Sequence, residues 1–233
     1  MPPLRSFASR IWTHLCGTDR TRACSLGNVS EEHVFVHIPK NAGTSVAEAM
    51  DIEKSWHYTA QAYQRMLGWP AYQWRFSFAF VRNPWDRFLS LYRYARLEES
   101  RYHSAIDPES APYGKHKDYD LLKNASVEEC AHYLQEERLR HDDFINHWRP
   151  QSDWVTDNNG EVIIDFVGRV ETIDADFQAV ARQFENPIDS LPVTNTSNGT
   201  TSARKYRSAF TDTARHIVAD YYQEDVDRFG YEF

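Results

Sequence analysis

Two apolar runs, each followed by the start of a helix, constrain the fold of this chain more than any other feature. Residues 33–38 read HVFVHI, and a helix is predicted over 45–53 after a short break. Residues 76–81 read FSFAFV and lead into a helix predicted over 84–99. Strands that alternate with helices through long crossovers form mostly parallel sheets. We therefore predict an α/β fold with a central, mostly parallel sheet flanked by helices.

The remaining elements follow from apolar periodicity and capping residues. A third strand is predicted over 162–170, with a helix after it. Ser126 and Glu129 form a capping box for a helix through Leu139, and Thr211 can cap a C-terminal helix. These elements complete the predicted alternation of strands and helices.

The chain shows no internal repeat and no dividing linker after about residue 30. We predict an N-terminal segment over 1–30 and a single domain over 31–233. A polar, turn-rich excursion at about 100–150 and a loop at 186–203 interrupt this domain. Segments of this kind are where recognition specificity usually lies, so we expect the excursion on the acceptor side of any active site.

Composition narrows the class of protein. The formal net charge of −8 argues against a nucleic-acid partner, because nucleic-acid proteins carry a basic excess. The three cysteines have neither metal-ligand spacing nor the number for a disulfide framework. No apolar run reaches the roughly 20 residues of a membrane span. We expect a cytoplasmic protein without a metal, and we interpret the N-x-S/T sequons at Asn28, Asn124, Asn195 and Asn198 as chance matches.

The break after the first strand, PKNAGTS, has the features of an anion-binding turn. Free N–H groups at a helix start attract an anion, and Lys40 adds a full positive charge. Gly43 permits a close backbone approach. A P-loop of the Walker type needs a lysine directly after its last glycine, which this turn lacks, so an ordinary ATPase or kinase is disfavoured. Taken alone, the turn is better explained by Thr44 or Ser45 capping the helix.

The second junction, VRNPWDRFLSLY, places Arg82 at a strand end and Ser90 on the polar face of the following helix. Arginine suits bidentate contact with a phosphate. Asp86 and Arg93 share the polar face, so a solvated helix surface is the alternative interpretation.

Together the two junctions resemble the sulfotransferases that use 3′-phosphoadenosine 5′-phosphosulfate (PAPS). HIPKNAGTS is similar to their 5′-phosphosulfate loop and VRNPWDRFLSLY to their 3′-phosphate segment. The resemblance extends through HWRPQSDWV, DFVGRVETIDADF and DVDRFGYEF, covers about residues 33–233, and is greatest for the branch of Golgi carbohydrate sulfotransferases and their bacterial relatives. The N-terminal region departs from the Golgi members because it has no signal-anchor helix. A Golgi location is therefore less expected than a cytoplasmic one.

The resemblance implies a role for each residue of the two loops. Lys40 would lie near the oxygen that bridges phosphate and sulfate, where charge develops as the bond to sulfur breaks. Arg82 and Ser90 would hold the 3′-phosphate, and Arg204 would close over it. The 5′ end of the donor would be wrapped by Asn41, Ala42, Gly43, Thr44 and Ser45.

The general base is predicted to be a histidine, because its pKa suits proton transfer near neutral pH. His57, expected to begin a helical segment, is favoured because related enzymes have a histidine in the corresponding segment, and His147 is the alternative. His33 and His37 are predicted to be buried strand histidines. Three aromatic side chains could stack on a sugar ring, although each of them taken alone is expected in the core: Tyr113, Trp148 and Trp154.

The sequence thus predicts a sulfotransferase that moves a sulfuryl group from PAPS to an acceptor hydroxyl, with a carbohydrate as the first choice of acceptor. A small-molecule or lipid hydroxyl is an alternative acceptor. A non-catalytic nucleotide-binding module is the alternative class of protein. The oligomeric state is left open.

Overall fold

The computed structural model divides into two compact units, which we describe separately. The first unit comprises residues up to Val81 and those from Gln151 to Thr196, and the second comprises Arg82–Pro150 and Ser197–Phe233. The domain limits predicted from the sequence are not tested by this division and stay a prediction. The residues described are 27–52, 55–99, 114–140, 146–184, 191 and 206–233.

The helices and strands are numbered in chain order. They are β1 (His33–Phe35), α1 (Gly43–Ala49), α2 (Ala60–Leu67), α3 (Trp69–Gln73), β2 (Phe76–Val81), α4 (Pro84–Ala95), α5 (Tyr119–Leu122), α6 (Val127–Gln135), α7 (Ser152–Val155), β3 (Phe166–Arg169), α8 (Ile173–Ala181), α9 (Asp212–Tyr221) and α10 (Gln223–Phe229).

A three-stranded parallel sheet forms the centre of the first unit. The strand order is β1–β2–β3, with Val34 opposite Ser77 in one pair and Phe80 opposite Gly168 in the other. Val46 of α1 and Phe177 of α8 are buried against the phenylalanines of the strands. The prediction of an α/β fold with a parallel sheet flanked by helices is confirmed.

The two outer strands are shorter than predicted. The β1 ladder ends at Phe35, although the Val36 N–H still donates to the Phe78 carbonyl at 2.8 Å. Beyond it Pro39 has no N–H to donate to a ladder. The third strand covers only 166–169, because the start of the predicted strand pairs elsewhere: Val162 forms an antiparallel bridge with Thr156, and the Ile163 N–H donates to the Val155 carbonyl at 2.9 Å.

The described part of the second unit is helical. Asn83 caps α4 as its side chain accepts from the Trp85 and Asp86 N–H groups, and the capping box of α6 and the Thr211 cap of α9 are both formed. Helix α4 ends at Ala95 rather than at residue 99. Within the predicted excursion the structure has α5 and α6, whereas residues 100–113 and 141–145, and the loop predicted at 186–203 except for residue 191, lie outside the described residues.

Helix α4 is the centre of the second unit's core. Eight of its twelve residues are buried. Trp85 donates its indole N–H to the Arg215 carbonyl at 2.9 Å, and Phe88 packs on Trp148 with ring centroids 5.9 Å apart. Among the helices that the structure describes, none has the length and apolar character needed to cross a membrane.

Candidate active site

The turn between β1 and α1 has a strained backbone that its surroundings hold in place. Lys40 and Ala42 adopt left-handed conformations, with φ of 68° and 58°. For residues other than glycine such conformations persist only where the surrounding structure over-determines them. The fixing residue here is Asn41, which is 1% exposed and donates its amide N–H groups to the Phe80 carbonyl at 2.8 Å and to the Gln151 side chain at 2.7 Å. The amide nitrogen of Asn41 thus anchors the turn, so its contribution to an anion would come from its backbone.

Helix α1 starts at Gly43, and its N-cap residue is Ala42, which makes no side-chain capping bond. The alternative in which Thr44 or Ser45 caps this helix is therefore wrong. Both residues instead lie in the first turn, Thr44 exposed and Ser45 half-buried, where backbone N–H groups have no partner within the helix. Together with the half-buried Lys40, these donors match the chemistry of an anionic 5′-phosphosulfate.

Gly43 is required by the ring of His37. A Cβ atom built on Gly43 would lie 1.9 Å from Nε2 and 2.0 Å from Cδ2 of that ring. The sequence predicts a close approach at this glycine but does not reveal that a side chain of the same loop makes it. His37 is buried, as predicted.

The hydrogen bond made by His57 fixes which ring nitrogen carries its proton. Nδ1 lies 2.8 Å from the backbone oxygen of His37, and a carbonyl oxygen can only accept, so Nδ1 is the donor. The neutral ring then carries its lone pair on Nε2. The half-buried His57 precedes the helix cap Thr59, so the expectation that it begins the helix is wrong.

Asn28 holds the extended segment that carries His57. The side-chain oxygen of Asn28 accepts from the Trp56 backbone N–H at 2.6 Å, and its side-chain nitrogen donates to the Trp56 carbonyl at 3.0 Å. The same nitrogen lies 3.0 Å from the Phe35 carbonyl of β1. Asn28 is fully buried, so this sequon does not present its amide for glycosylation.

In the second unit, Arg82 forms an ion pair with Asp86. Nε and Nη2 of the arginine each lie 2.8 Å from the same carboxylate oxygen. The pair fixes the plane of the guanidinium. Ser90 follows one turn later and is half-buried, whereas Arg93 is exposed. The polar face predicted for this helix is present, and Asp86 pairs with Arg82 on it.

Arg87 is a residue whose role the sequence did not reveal. Its guanidinium is 1% exposed and donates to the carbonyls of His147 at 2.7 Å and Arg149 at 3.1 Å. Burial lowers the pKa of Arg87, and the charge of Asp225 opposes that shift. Arg87 therefore positions the backbone on both sides of Trp148.

The other predicted site residues fall into three groups. His147 is buried in the second unit, with 6% of its surface exposed. Trp148 and Trp154 are 0% and 1% exposed, so their interpretation as sugar-stacking platforms is wrong and both belong to the core of their own unit. Arg204 and Tyr113 lie outside the described residues. Within the described ranges, no three histidine, cysteine or carboxylate side chains come together as metal ligands.

Comparison with known proteins gives one match. The family model described as "Sulfotransferase family" matches residues 28–232 of the chain. No curated protein matches, and neither does any solved structure.

Proposed function

The chain belongs to the sulfotransferase family, and from that premise we propose that it moves a sulfuryl group from PAPS to a carbohydrate hydroxyl, with His57 as the general base. Family membership itself makes the protein a PAPS-dependent sulfotransferase that acts on a hydroxyl acceptor, rather than a non-catalytic nucleotide-binding module. The carbohydrate, the base and the donor contacts are the parts that we propose.

The observation that carries the proposed mechanism is the hydrogen bond from His57 Nδ1 to the His37 carbonyl at 2.8 Å. It favours the tautomer in which Nε2 can accept a proton. A general base needs this tautomer, and it also needs to keep its orientation as the proton arrives. The rigid attachment of the neighbouring Trp56 backbone to Asn28 supports both requirements.

PAPS supplies a sulfuryl group activated by its anhydride bond to phosphate. As the acceptor oxygen forms its bond to sulfur, the bond from sulfur to the bridging oxygen breaks and that oxygen keeps the electron pair. His57 Nε2 takes the hydroxyl proton. Lys40 stabilises the charge that develops on the bridging oxygen, and the products are a sulfate ester and 3′,5′-ADP.

The anion contacts are proposed for each loop separately. In the first unit, the backbone N–H groups of Gly43, Thr44 and Ser45 would bind the 5′ end of the donor. In the second unit, Arg82 and Ser90 would bind the 3′-phosphate. The fixed plane of Arg82, set by Asp86, favours a bidentate contact.

The acceptor is proposed from the resemblance of the two motifs to the carbohydrate branch of the family. With Trp148 and Trp154 in the core, the described residues offer no support for sugar stacking at those positions. A phenolic, aliphatic or lipid hydroxyl is therefore tested beside the glycans.

The experiment compares His57→Ala with the wild type and with His216→Ala, an exposed histidine of α9. Release of 3′,5′-ADP from PAPS is measured with glycan, phenolic and aliphatic acceptors, and binding of 3′,5′-ADP by calorimetry. We expect His57→Ala to lower kcat about 10²–10⁴-fold with unchanged nucleotide binding, and His216→Ala to match the wild type. Normal turnover by His57→Ala together with loss in His147→Ala would move the base role to His147.

A further inference from the structure

The ring of His37 contacts two parts of the proposed site at once. It packs on the ring of His57, with centroids 4.2 Å apart and planes inclined by 56°. Its edge lies directly against the backbone of Gly43, at which a Cβ would overlap Nε2. Its other neighbour is Phe35 of β1, with centroids 5.4 Å apart and planes inclined by 14°. The ring of His37 therefore lies between the proposed base His57 and Gly43, the first residue of α1.

The orientation of this ring is set by a side-chain network outside the transfer site. Nδ1 of His37 lies 2.6 Å from Oγ of Ser55, and the amide nitrogen of Asn28 lies 3.2 Å from the same oxygen. Ser55 Oγ is one of three acceptors around the two amide hydrogens of Asn28, and a hydroxyl that accepts from an amide can donate its own proton to His37 Nδ1. This direction of donation leaves His37 neutral.

A neutral ring suits a neighbour that must take up a proton. Burial holds the pKa of His37 well below its ordinary value, and the charges of His57 and Lys40 lower it further. A second charged imidazole at 4.2 Å would oppose protonation of His57, since like charges at this distance repel. His37 therefore stays neutral while His57 takes up the proton, and it does not compete with His57 for that proton.

We propose that His37 is a positioning residue for sulfuryl transfer: its ring, oriented by Ser55 and Asn28, fixes the base His57 relative to the Gly43 turn. This inference rests on the proposed function of His57. His37 also supplies the carbonyl that fixes the His57 tautomer; because this contact is made by the backbone, a change of the His37 side chain disturbs it only by displacing the ring of His57.

The protein contains a matched control for this proposal. His33 lies four residues earlier, in β1, is likewise buried, and has its Nδ1 2.7 Å from a serine hydroxyl, that of Ser30. Its ring packs on Phe78 and Phe184, and not on His57. The pair His37→Asn and His33→Asn therefore separates the loss of a buried histidine from the loss of this particular ring.

The test measures kcat, KM and 3′,5′-ADP binding for these two variants, for His57→Ala and for the double variant His37→Asn/His57→Ala. Release of 3′,5′-ADP from PAPS is followed with pooled glycan, phenolic and aliphatic acceptors. The rate without an acceptor, at which water hydrolyses PAPS, is the baseline. We expect His37→Asn to lower kcat about 10²-fold, as a displacement of about 1 Å does, with KM and nucleotide binding changed less than about threefold. His33→Asn should keep kcat, and the double variant should be no slower than His57→Ala.

A second measurement does not depend on turnover. Long-range ¹H–¹⁵N spectra report which ring nitrogen of His57 is protonated. We expect the Nδ1–H form in the wild type and in His33→Asn, and signals averaged between tautomers in His37→Asn.

The outcomes distinguish the two proposals. If His57→Ala turns over normally, the base assignment fails and the inference about His37 fails with it. If His57→Ala is inactive but His37→Asn has the kcat and the spectrum of His33→Asn, only the positioning role is overturned. Additive losses in the double variant would also overturn it, because His37 would then act independently of His57.

Discussion

Gly43→Ala is expected to destabilise the protein, although a glycine-to-alanine change in a helix ordinarily stabilises by about 0.5–1 kcal/mol. The new methyl group would lie 1.9 Å from Nε2 of His37, short of an optimal contact near ~3.5 Å by roughly 1.5 Å. The His37 ring cannot retreat freely, because Phe35 and His57 flank it and its Nδ1 lies 2.6 Å from the Ser55 hydroxyl. Overpacking of this kind costs about 1–3 kcal/mol, which outweighs the helix preference.

For a chain of this size that loss corresponds to a fall in Tm of about 2–12 °C. The assay is thermal and urea unfolding of the wild type, Gly43→Ala and Gly68→Ala. A methyl group on Gly68 meets nothing within 4 Å, and its φ of +78° adds only backbone strain, so Gly68→Ala should leave transfer activity unchanged. Gly43→Ala should also lower kcat about 10²-fold.

The same change in a His37→Ala background tests the cause. With the ring removed, the methyl group of Gly43→Ala has room, and its cost in unfolding free energy should disappear. The reasoning would be refuted if Gly43→Ala lowered the unfolding free energy as much in His37→Ala as in the wild type. It would also be refuted if the Gly43→Ala protein were as stable as the wild type.

Three further predictions concern charges. Arg82→Ala should weaken 3′,5′-ADP binding by about 1.5–3 kcal/mol and leave AMP binding unchanged, whereas Asp86→Asn should not weaken either; equal losses for both nucleotides would contradict the 3′-phosphate role. Burial lowers the pKa of His33 from 6.5 to about 4, so the folded state stays neutral while the unfolded state binds a proton. The free energy of unfolding should therefore fall by about 3 kcal/mol as the pH is lowered from 6.5 to 4. Urea unfolding measured over this range should show a smaller fall for His33→Gln than for the wild type. Arg87→Met should cost about 3–5 kcal/mol, because it leaves two carbonyls and the buried Asp225 without the guanidinium; a loss below about 1 kcal/mol in chemical unfolding would be incompatible with that role.

The sequence predicted elements best where the signal was local. Asn83 and Pro84 identified the start of α4, the Ser126–Glu129 pair identified that of α6, and strand β2 has its predicted limits. Each of these signals is read within four residues of chain. The parallel sheet followed because two strand-to-helix junctions in succession leave few other topologies.

The features that the sequence could not predict depend on contacts between distant residues. His37 appeared to be one of two equivalent strand histidines, and only its contacts with Gly43, Ser55 and His57 separate it from His33. The burial of Arg87 could not be predicted, because the apolar residues of α4 give no sign that the rest of the helix is buried as well. Periodicity reports which face of a helix is apolar, whereas burial is decided by what packs on the remaining faces.

The hydrogen bond between Asn41 and Gln151 also determines when, during synthesis, the turn between β1 and α1 can take its final structure. The two residues are 110 positions apart, and β3, which completes the sheet, is later still. A nascent chain that ends before Gln151 can pair β1 with β2 and can form the Asn41–Phe80 hydrogen bond, but it lacks the bond to Gln151 and so has only one of the two contacts that hold the turn at Lys40 and Ala42. The donor binding that we propose for the first loop would therefore require the C-terminal third of the chain to have been synthesised.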